Sequence, residues 1–170
     1  LEAATEDEKA HPELAEFLLD VSGFDSVDDE SKDETGQFVD LMPDEWNVNQ
    51  NPPYVNYLWH MYERIVKLNE LRARKKLNTF NFRPHSGEAG SPNHLATSFL
   101  LAENISHGIV LKDSPVMQYL FYLCQIGIAM SPLSNNSLFL SYAESPFHTF
   151  HMIGLNVSLS TDDPLQFHFT

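Results

Sequence analysis

The sequence predicts an α/β fold in which about four parallel strands alternate with helices, as in half of an eight-stranded (β/α)8 barrel. Short apolar runs suited to buried strands alternate with helical patterns along the second half of the chain. Ser-Pro pairs open three of these helices, with Ser at the N-cap and Pro in the first turn. The strand-like runs end in polar side chains, and the carboxyl ends of barrel strands meet at one mouth, where active sites form.

The first part of the chain predicts helices and loops. Residues 12–19 have the spacing of a short helix, and residues 24–43 are loop-like. Residues 25–31 are acidic but lack the central Gly and the Glu at the twelfth loop position that a calcium loop requires. Pro52 and Pro53 open the clearest helix, whose apolar positions recur at helical spacing: Tyr54, Leu58, Met61, Tyr62, Ile65, Val66, Leu68 and Leu71. We therefore divide the chain into an acidic segment, 1–50, and a barrel segment, 51–170.

The barrel segment is predicted to alternate regularly. Strands are expected at residues 77–82, 106–111, 127–130 and 155–160, and helices at 91–104, 114–125 and 145–154. Such a pattern requires right-handed crossovers between parallel strands. A half-barrel leaves open edges, and the chain starts at Leu1 rather than Met, so we expect an excised fragment. A small doubly wound sheet is the alternative, although no Gly-rich phosphate motif supports it.

Charge and composition exclude several classes of function. The net charge is −14, and residues 1–50 hold 16 of the 24 acidic residues with only two basic ones. No basic patch remains to attract nucleic acid, and the acidic segment is interpreted as solvated, so its charge says little about the site. The apolar runs are far shorter than the roughly 20 residues of a membrane span, so a cytosolic protein is expected. Cys124, the single cysteine, is expected to be a buried, inert thiol.

Two candidate site residues follow the first strand of the barrel segment. His85 and Glu88 lie three apart across Gly87, which allows a tight turn that points both side chains into one pocket. His is a common zinc ligand, and a nearby Glu can move protons. The spacing alone is weak, because it occurs by chance in many chains.

Further candidates follow two later strands. His107 precedes Gly108 at a strand tip, and a structural histidine is the alternative interpretation. Asp162 and Asp163 end the last strand, where adjacent carboxylates repel unless a cation or donor compensates. A turn role before Pro164 is the alternative there. Together, these strand-end groups indicate zinc catalysis, which needs ligands, an open water position and a general acid.

At these residues the sequence resembles the AMP deaminase family of metal-dependent hydrolases. The resemblance covers nearly all 170 residues, and the matching motifs are residues 23–31, 83–90 (RPHSGEAG), 105–108 (ISHG), 112–116, 129–140 (AMSPLSNNSLFL) and 157–168 (VSLSTDDPLQFH). It implies the second half of a TIM-type (β/α)8 barrel that holds one zinc ion. It also implies cytosolic conversion of AMP to IMP and ammonia in purine metabolism, by a tetramer.

The resemblance also implies roles for individual residues. His85 and Asp162 match zinc ligands, and Glu88 matches the residue that protonates purine N1 while C6 is attacked. His107 matches the histidine that orients and helps to deprotonate the zinc-bound water. Asp163 matches a partner of purine N7, within a substrate-binding run of Asp163, Pro164, Leu165 and Gln166. Arg83 and Lys112 are possible phosphate contacts or structural ion-pair partners.

One departure from the family pattern matters. The first barrel strand of the family ends in His-x-His, which supplies two further zinc ligands, and these 170 residues contain no such motif. Two ligands are too few for a tight catalytic zinc site. We therefore expect the chain to be a C-terminal half-barrel that is inactive alone. A purine-nucleotide-binding homologue without turnover, and a subunit-interaction role for residues 1–50, are the alternatives.

Overall fold

The computed structural model describes residues 1–32, 42–47 and 49–167. The α-helices are α1 (Glu2–Glu6), α2 (Pro12–Leu19), α3 (Tyr54–Arg74), α4 (Asn93–Leu101), α5 (Pro115–Cys124), α6 (Pro132–Leu138), α7 (Phe147–Met152) and α8 (Pro164–Phe167). The strands are β1 (Gly23–Phe24), β2 (Asn81–Phe82), β3 (His85–Ser86), β4 (Asn104–His107), β5 (Gly127–Met130) and β6 (Val157–Leu159). Two 3-10 turns, Ile109–Asp113 and Tyr142–Glu144, follow β4 and α6.

Among the described residues, every strand pair is parallel. Strands β3, β4, β5 and β6 lie side by side in chain order, with a helix in each crossover. Strand β1 pairs with β2, and the ladder continues because the His85 N–H donates to the Ser26 carbonyl at 2.8 Å. The predicted mixed α/β fold is therefore confirmed, and it agrees with part of a barrel.

Two apolar clusters hold these elements. One lies between α1, α2, α3 and β2, with Tyr54, Leu58, Phe80 and Phe82 at its centre. The other lies between the sheet and helices α4, α5 and α7, around residues that include Ile105, Leu111, Phe121, Ile128 and Phe150. Partly buried Ala102 packs against both clusters. The two cores thus join the N-terminal helices to the sheet.

Arg72 of α3 forms hydrogen bonds to the N-terminal helices. Its side chain is buried above the Phe80 ring, with Cζ 4.4 Å from the ring centroid. The guanidinium donates to the Asn78 carbonyl and to Asn78 Oδ1, both at 2.6 Å, and also to Thr5 Oγ1 and the Leu18 carbonyl. A buried charge is tolerated when its donors are satisfied in this way.

We expect Arg72→Met to lower the free energy of unfolding by about 2–4 kcal/mol, because it leaves several buried acceptors with fewer donors. Arg74→Met, the same change at an exposed position of α3, is the matched control. The midpoint of denaturant unfolding, measured for both variants, checks the prediction. Equal midpoints would contradict it.

Several predicted elements differ from the structure. Residues 106–111 do not continue as a strand, because β4 ends at His107 and Gly108, with φ of 63°, turns the chain into the 3-10 turn. The predicted loop at 24–43 lies partly outside the described residues, and its start belongs to β1. Helix α6 was not predicted, since its polar run Ser131–Asn136 lacks apolar periodicity. Helix α4 ends at Leu101 rather than near Asn104.

Cys124 is exposed, so its predicted burial was wrong. The apolar run of α5 has one buried side, carrying Phe121, while Tyr122 and Leu123 face outward with Cys124. Composition alone does not distinguish these two sides.

Within the described ranges, no helix combines the length and apolar character that crossing a bilayer requires.

Candidate active site

Three side chains meet where neighbouring parallel strands end. His85 begins β3, Glu88 follows it, and His107 ends β4. One ligand atom from each residue lies within 4.8 Å of the other two, and the rings of His85 and His107 are 4.6 Å apart between centroids. The sequence-predicted residues of two strands are therefore brought into one cluster.

The backbone around this cluster has positive φ angles, which residues other than glycine rarely adopt. Gly87 has φ of 70°, which glycine adopts without a steric cost. His107 and Asp162 also have positive φ values, 73° and 59°. Non-glycine residues in this region carry strain, and such strain is concentrated at functional sites.

His85 is oriented by a residue of the N-terminal segment. Its Nδ1 lies 3.0 Å from Asp25 Oδ1, so Nδ1–H donates to the carboxylate and Nε2 is left for a ligand. Burial alone would lower the pKa of His85. The hydrogen bond and charge of Asp25, with the charges of Glu88 and Asp162, outweigh burial and raise that pKa. Asp25 therefore makes His85 a more basic group.

The surroundings of Glu88 favour its protonated form up to near neutral pH. Its side chain is 15% exposed, and its pKa is raised to about 7, chiefly by burial. The charge of His85 opposes this shift, whereas the charges of Asp162, Glu30 and Asp163 reinforce it. A carboxyl group with such a pKa can act as a general acid.

His107 is set up to remain neutral. Its side chain is 1% exposed, and burial, followed by the charge of His85, lowers its pKa to about 4. Its Nδ1 lies 3.1 Å from Asn135 Nδ2 and 3.3 Å from Glu88 Oε1, while Nε2 lies 4.0 Å from Asp162 Oδ2. Neutral His107 and protonated Glu88 thus form an adjacent base and acid.

Of the remaining predicted residues, Asp162 and Asp163 lie near this cluster. Asp162 is outside the group of three and contacts it through His107. Asp163 caps the four-residue helix α8, with its carbonyl accepting from the Gln166 and Phe167 N–H groups. Asp163, Pro164, Leu165 and Gln166 are exposed. Their predicted substrate contacts stay a prediction, as do the phosphate contacts of Arg83 and Lys112.

Three site residues were missed. Asp25 and Glu30 belong to the acidic segment, whose charge was expected to say little about the site. Glu30 is buried and both residues bond to the site, so that interpretation was wrong for these two residues. Glu30 is 4% exposed and bonds to the chain at Gly87 and Glu88. Asn135 lies between His107 and Glu88. All three lie in family-like motifs, residues 23–31 and 129–140, but neither motif indicated which of its residues reach the site.

The donor set suits zinc. Imidazole nitrogen and carboxylate oxygen are zinc ligands, and the cluster offers both within a short distance. Metal-binding histidines usually donate their second ring N–H to a carboxylate, as His85 does to Asp25. The cluster therefore offers nitrogen and oxygen donors of the kind that a metal ion binds.

Comparison with known proteins identifies the family. The family model described as AMP deaminase matches residues 1–170. The chain is 58% identical over 169 residues to AMP deaminase 1 of Mus musculus, 60% identical to AMP deaminase 3 of Homo sapiens and 56% identical to the AMP deaminase of Dictyostelium discoideum. Each comparison covers 98% of this chain but only 21–23% of the relative.

A solved structure supports the fold. The adenine deaminase of Arthrobacter aurescens superimposes with a TM-score of 0.59 over 71% of this chain and 35% of the other, at 23% sequence identity. That identity carries information on the fold alone. The resemblance seen in the motifs is confirmed by the family match and by the curated relatives: this chain belongs to the AMP deaminase family.

Proposed function

We propose that the protein containing this chain hydrolyses AMP to IMP and ammonia with one zinc ion, and that residues 51–170 form the C-terminal half of its barrel. The observation that carries the proposal is the cluster of His85, Glu88 and His107 at adjacent strand ends. It occurs in a chain that is 56–60% identical to curated AMP deaminases. Because the chain spans about a fifth of their length, further parts of the site lie outside it.

His85 and Asp162 are the residues that would hold zinc from this side of the site. Zinc bound there supplies a water molecule acidic enough to be deprotonated near neutral pH. The free Nε2 of His85 and the position of Asp162 next to His107 support this assignment. The other ligands belong to the part of the protein that this chain does not include.

The two residues at the centre divide the proton transfers. Glu88, protonated up to about pH 7, delivers its proton to purine N1, which makes C6 electrophilic. His107, neutral above about pH 4, orients the attacking water and accepts its proton. Asp163 to Gln166 bind the purine. We also propose, from the resemblance, that the full-length protein is a cytosolic tetramer.

The test is ammonia release by the full-length protein, with AMP and adenosine compared under the same conditions. Turnover of AMP alone would support the proposed function. Zinc binding without turnover would indicate a nucleotide-binding homologue whose chemistry has been lost. Absence of both would contradict the site assigned here.

We expect Asp25→Asn to weaken zinc binding by about 10- to 100-fold, because the neutral amide no longer makes His85 more basic. Competition with a chelator at fixed pH measures the change. Asp20→Asn, at an exposed position in the same segment, removes the same charge without touching His85 and should bind zinc as the wild type does. Unchanged affinity in Asp25→Asn would remove Asp25 from the site.

A further inference from the structure

We propose that Glu30 is a positioning residue for the general acid. Its buried carboxylate accepts hydrogen bonds from two consecutive main-chain N–H groups, those of Gly87 and Glu88. These bonds hold the backbone that directs the Glu88 side chain toward the reacting centre. The inference rests on the proposed function, because it concerns how the acid of that reaction is placed. Glu30 itself contacts neither the substrate nor the metal in this proposal.

The Glu30 carboxylate is buried and fully engaged. Its side chain is 2% exposed. Oε2 accepts from the Gly87 N–H and from His94 Nδ1, both at 2.8 Å, and Oε1 accepts from the Glu88 N–H at 3.2 Å. Burying a carboxylate is costly without such donors. A residue that served packing alone would be apolar here, so the three bonds indicate a directional role.

Those bonds act on the part of the chain that carries the acid. Gly87 has φ of 70°, a conformation that a glycine does not hold by itself, because it enters many others equally well. The Glu30 carboxylate restrains the two peptide units that flank the Gly87 Cα, and the Val110 N–H, which donates to the Gly87 carbonyl at 2.8 Å, adds to this restraint. With this backbone held, Glu88 Oε1 lies 3.3 Å from His107 Nδ1 and 3.5 Å from Asn135 Nδ2.

Glu30 is itself anchored on two sides. A Cβ atom at Gly90 would lie 1.7 Å from the Glu30 carbonyl oxygen, so the turn after Glu88 packs directly on the Glu30 main chain. His94 of α4 holds the carboxylate from the other side, and its ring packs edge-on against Tyr54, 5.6 Å between centroids. The restraint on Glu88 is therefore built on α3, α4 and the N-terminal segment together.

Glu30→Gln in the full-length, zinc-loaded protein tests the proposal. With its oxygen in the Oε2 position, Gln keeps the bonds to Gly87 and His94 but turns its NH₂ group against the Glu88 N–H. We expect kcat for AMP to fall by about 10- to 100-fold, since small displacements of a catalytic group have effects of this size. KM should change by less than about threefold, and zinc content should be unchanged.

Asp29→Asn is the matched control. Asp29 is the adjacent acid, its side chain is 50% exposed, and it pairs with Lys32. The change removes the same charge from the same loop without touching Gly87 or Glu88, and kcat should stay at the wild-type value. A folded, zinc-loaded Glu30→Gln protein with wild-type kcat, or one altered only in KM, would overturn the proposal.

Two changes at His94 decide the question if Glu30→Gln fails to fold. His94→Ala and His94→Asn both remove the ring that packs on Tyr54, but Asn keeps an N–H donor close to the Nδ1 position. We expect kcat in His94→Asn to exceed that in His94→Ala by at least about fivefold. Equal kcat values would mean that only packing matters, and would overturn the proposal.

The outcomes separate this inference from the proposed function. A wild-type protein that does not deaminate AMP contradicts the proposed function before any Glu30 variant is compared. An active wild type, inactivated by Glu88→Gln but indifferent to Glu30→Gln, keeps the function and removes Glu30 from it.

Discussion

Glu88→Gln is expected to lower kcat for AMP by about 10²- to 10⁴-fold, the range that general acid catalysis contributes. The amide fills the same space and retains an oxygen near Asn135, but its N–H protons are not acidic enough to be transferred to purine N1. Zinc content should be unchanged, because Glu88 is not one of the proposed ligands. Steady-state ammonia release measures the loss, and Glu63→Gln, on the partly exposed surface of α3, is the control. A loss below about tenfold would exclude Glu88 as the acid.

The same substitution should stabilise the metal-free protein at high pH. The pKa of Glu88 is raised from its ordinary value of 4.5 to about 7, so its contribution to stability is complete below pH 4.5 and lost as the pH rises through 7. Each pKa unit corresponds to about 1.4 kcal/mol, so the stability of Glu88→Gln relative to wild type should rise by roughly 2–3 kcal/mol between pH 4.5 and pH 8. Denaturant unfolding of both proteins at the two pH values checks this prediction. A stability difference between variant and wild type that does not change with pH would contradict it.

His107→Asn should also lower kcat by about 10²- to 10⁴-fold, because it removes the imidazole that we propose orients the attacking water and accepts its proton. Asn is the suitable replacement, since it tolerates the positive φ of 73° at this position better than other non-glycine residues. Its side-chain amide also keeps a polar atom near Glu88 and Asn135. His148→Asn, at an exposed position of α7, is the control, and activity within tenfold of wild type would exclude His107 from proton transfer.

The pH dependence of this variant should mirror that of Glu88→Gln. The pKa of His107 is lowered from its ordinary value of 6.5 to about 4, so its contribution to stability is present above pH 6.5 and lost as the pH falls through 4. In the metal-free protein, the stability of His107→Asn relative to wild type should therefore rise by roughly 2–3 kcal/mol as the pH falls from 7 to 4. Opposite trends with pH for the two variants would support a protonated Glu88 and a neutral His107 near pH 6.

Local pattern was sufficient for much of the fold. Strand β5 was predicted at its observed residues, 127–130, and the helix after Pro53 was predicted from its apolar spacing. Both signals are periodic and belong to one element, so they can be read without knowing what the element packs against. The bounds of β4 were less predictable, because a backbone reversal at His107 and Gly108 ends it in the middle of an apolar run.

Motif and topology together were sufficient to bring His85, Glu88 and His107 to one place, because parallel strands carry their carboxyl ends to the same edge. Asp25 and Glu30 were not predictable in the same way. They lie among many similar acids in one segment, and no local pattern distinguishes the two acids that contact the site from the others. Their role arises from pairing between β1 and β2, about 60 residues apart in the chain, which places two of those acids against the loop that carries the proposed zinc ligand and the acid.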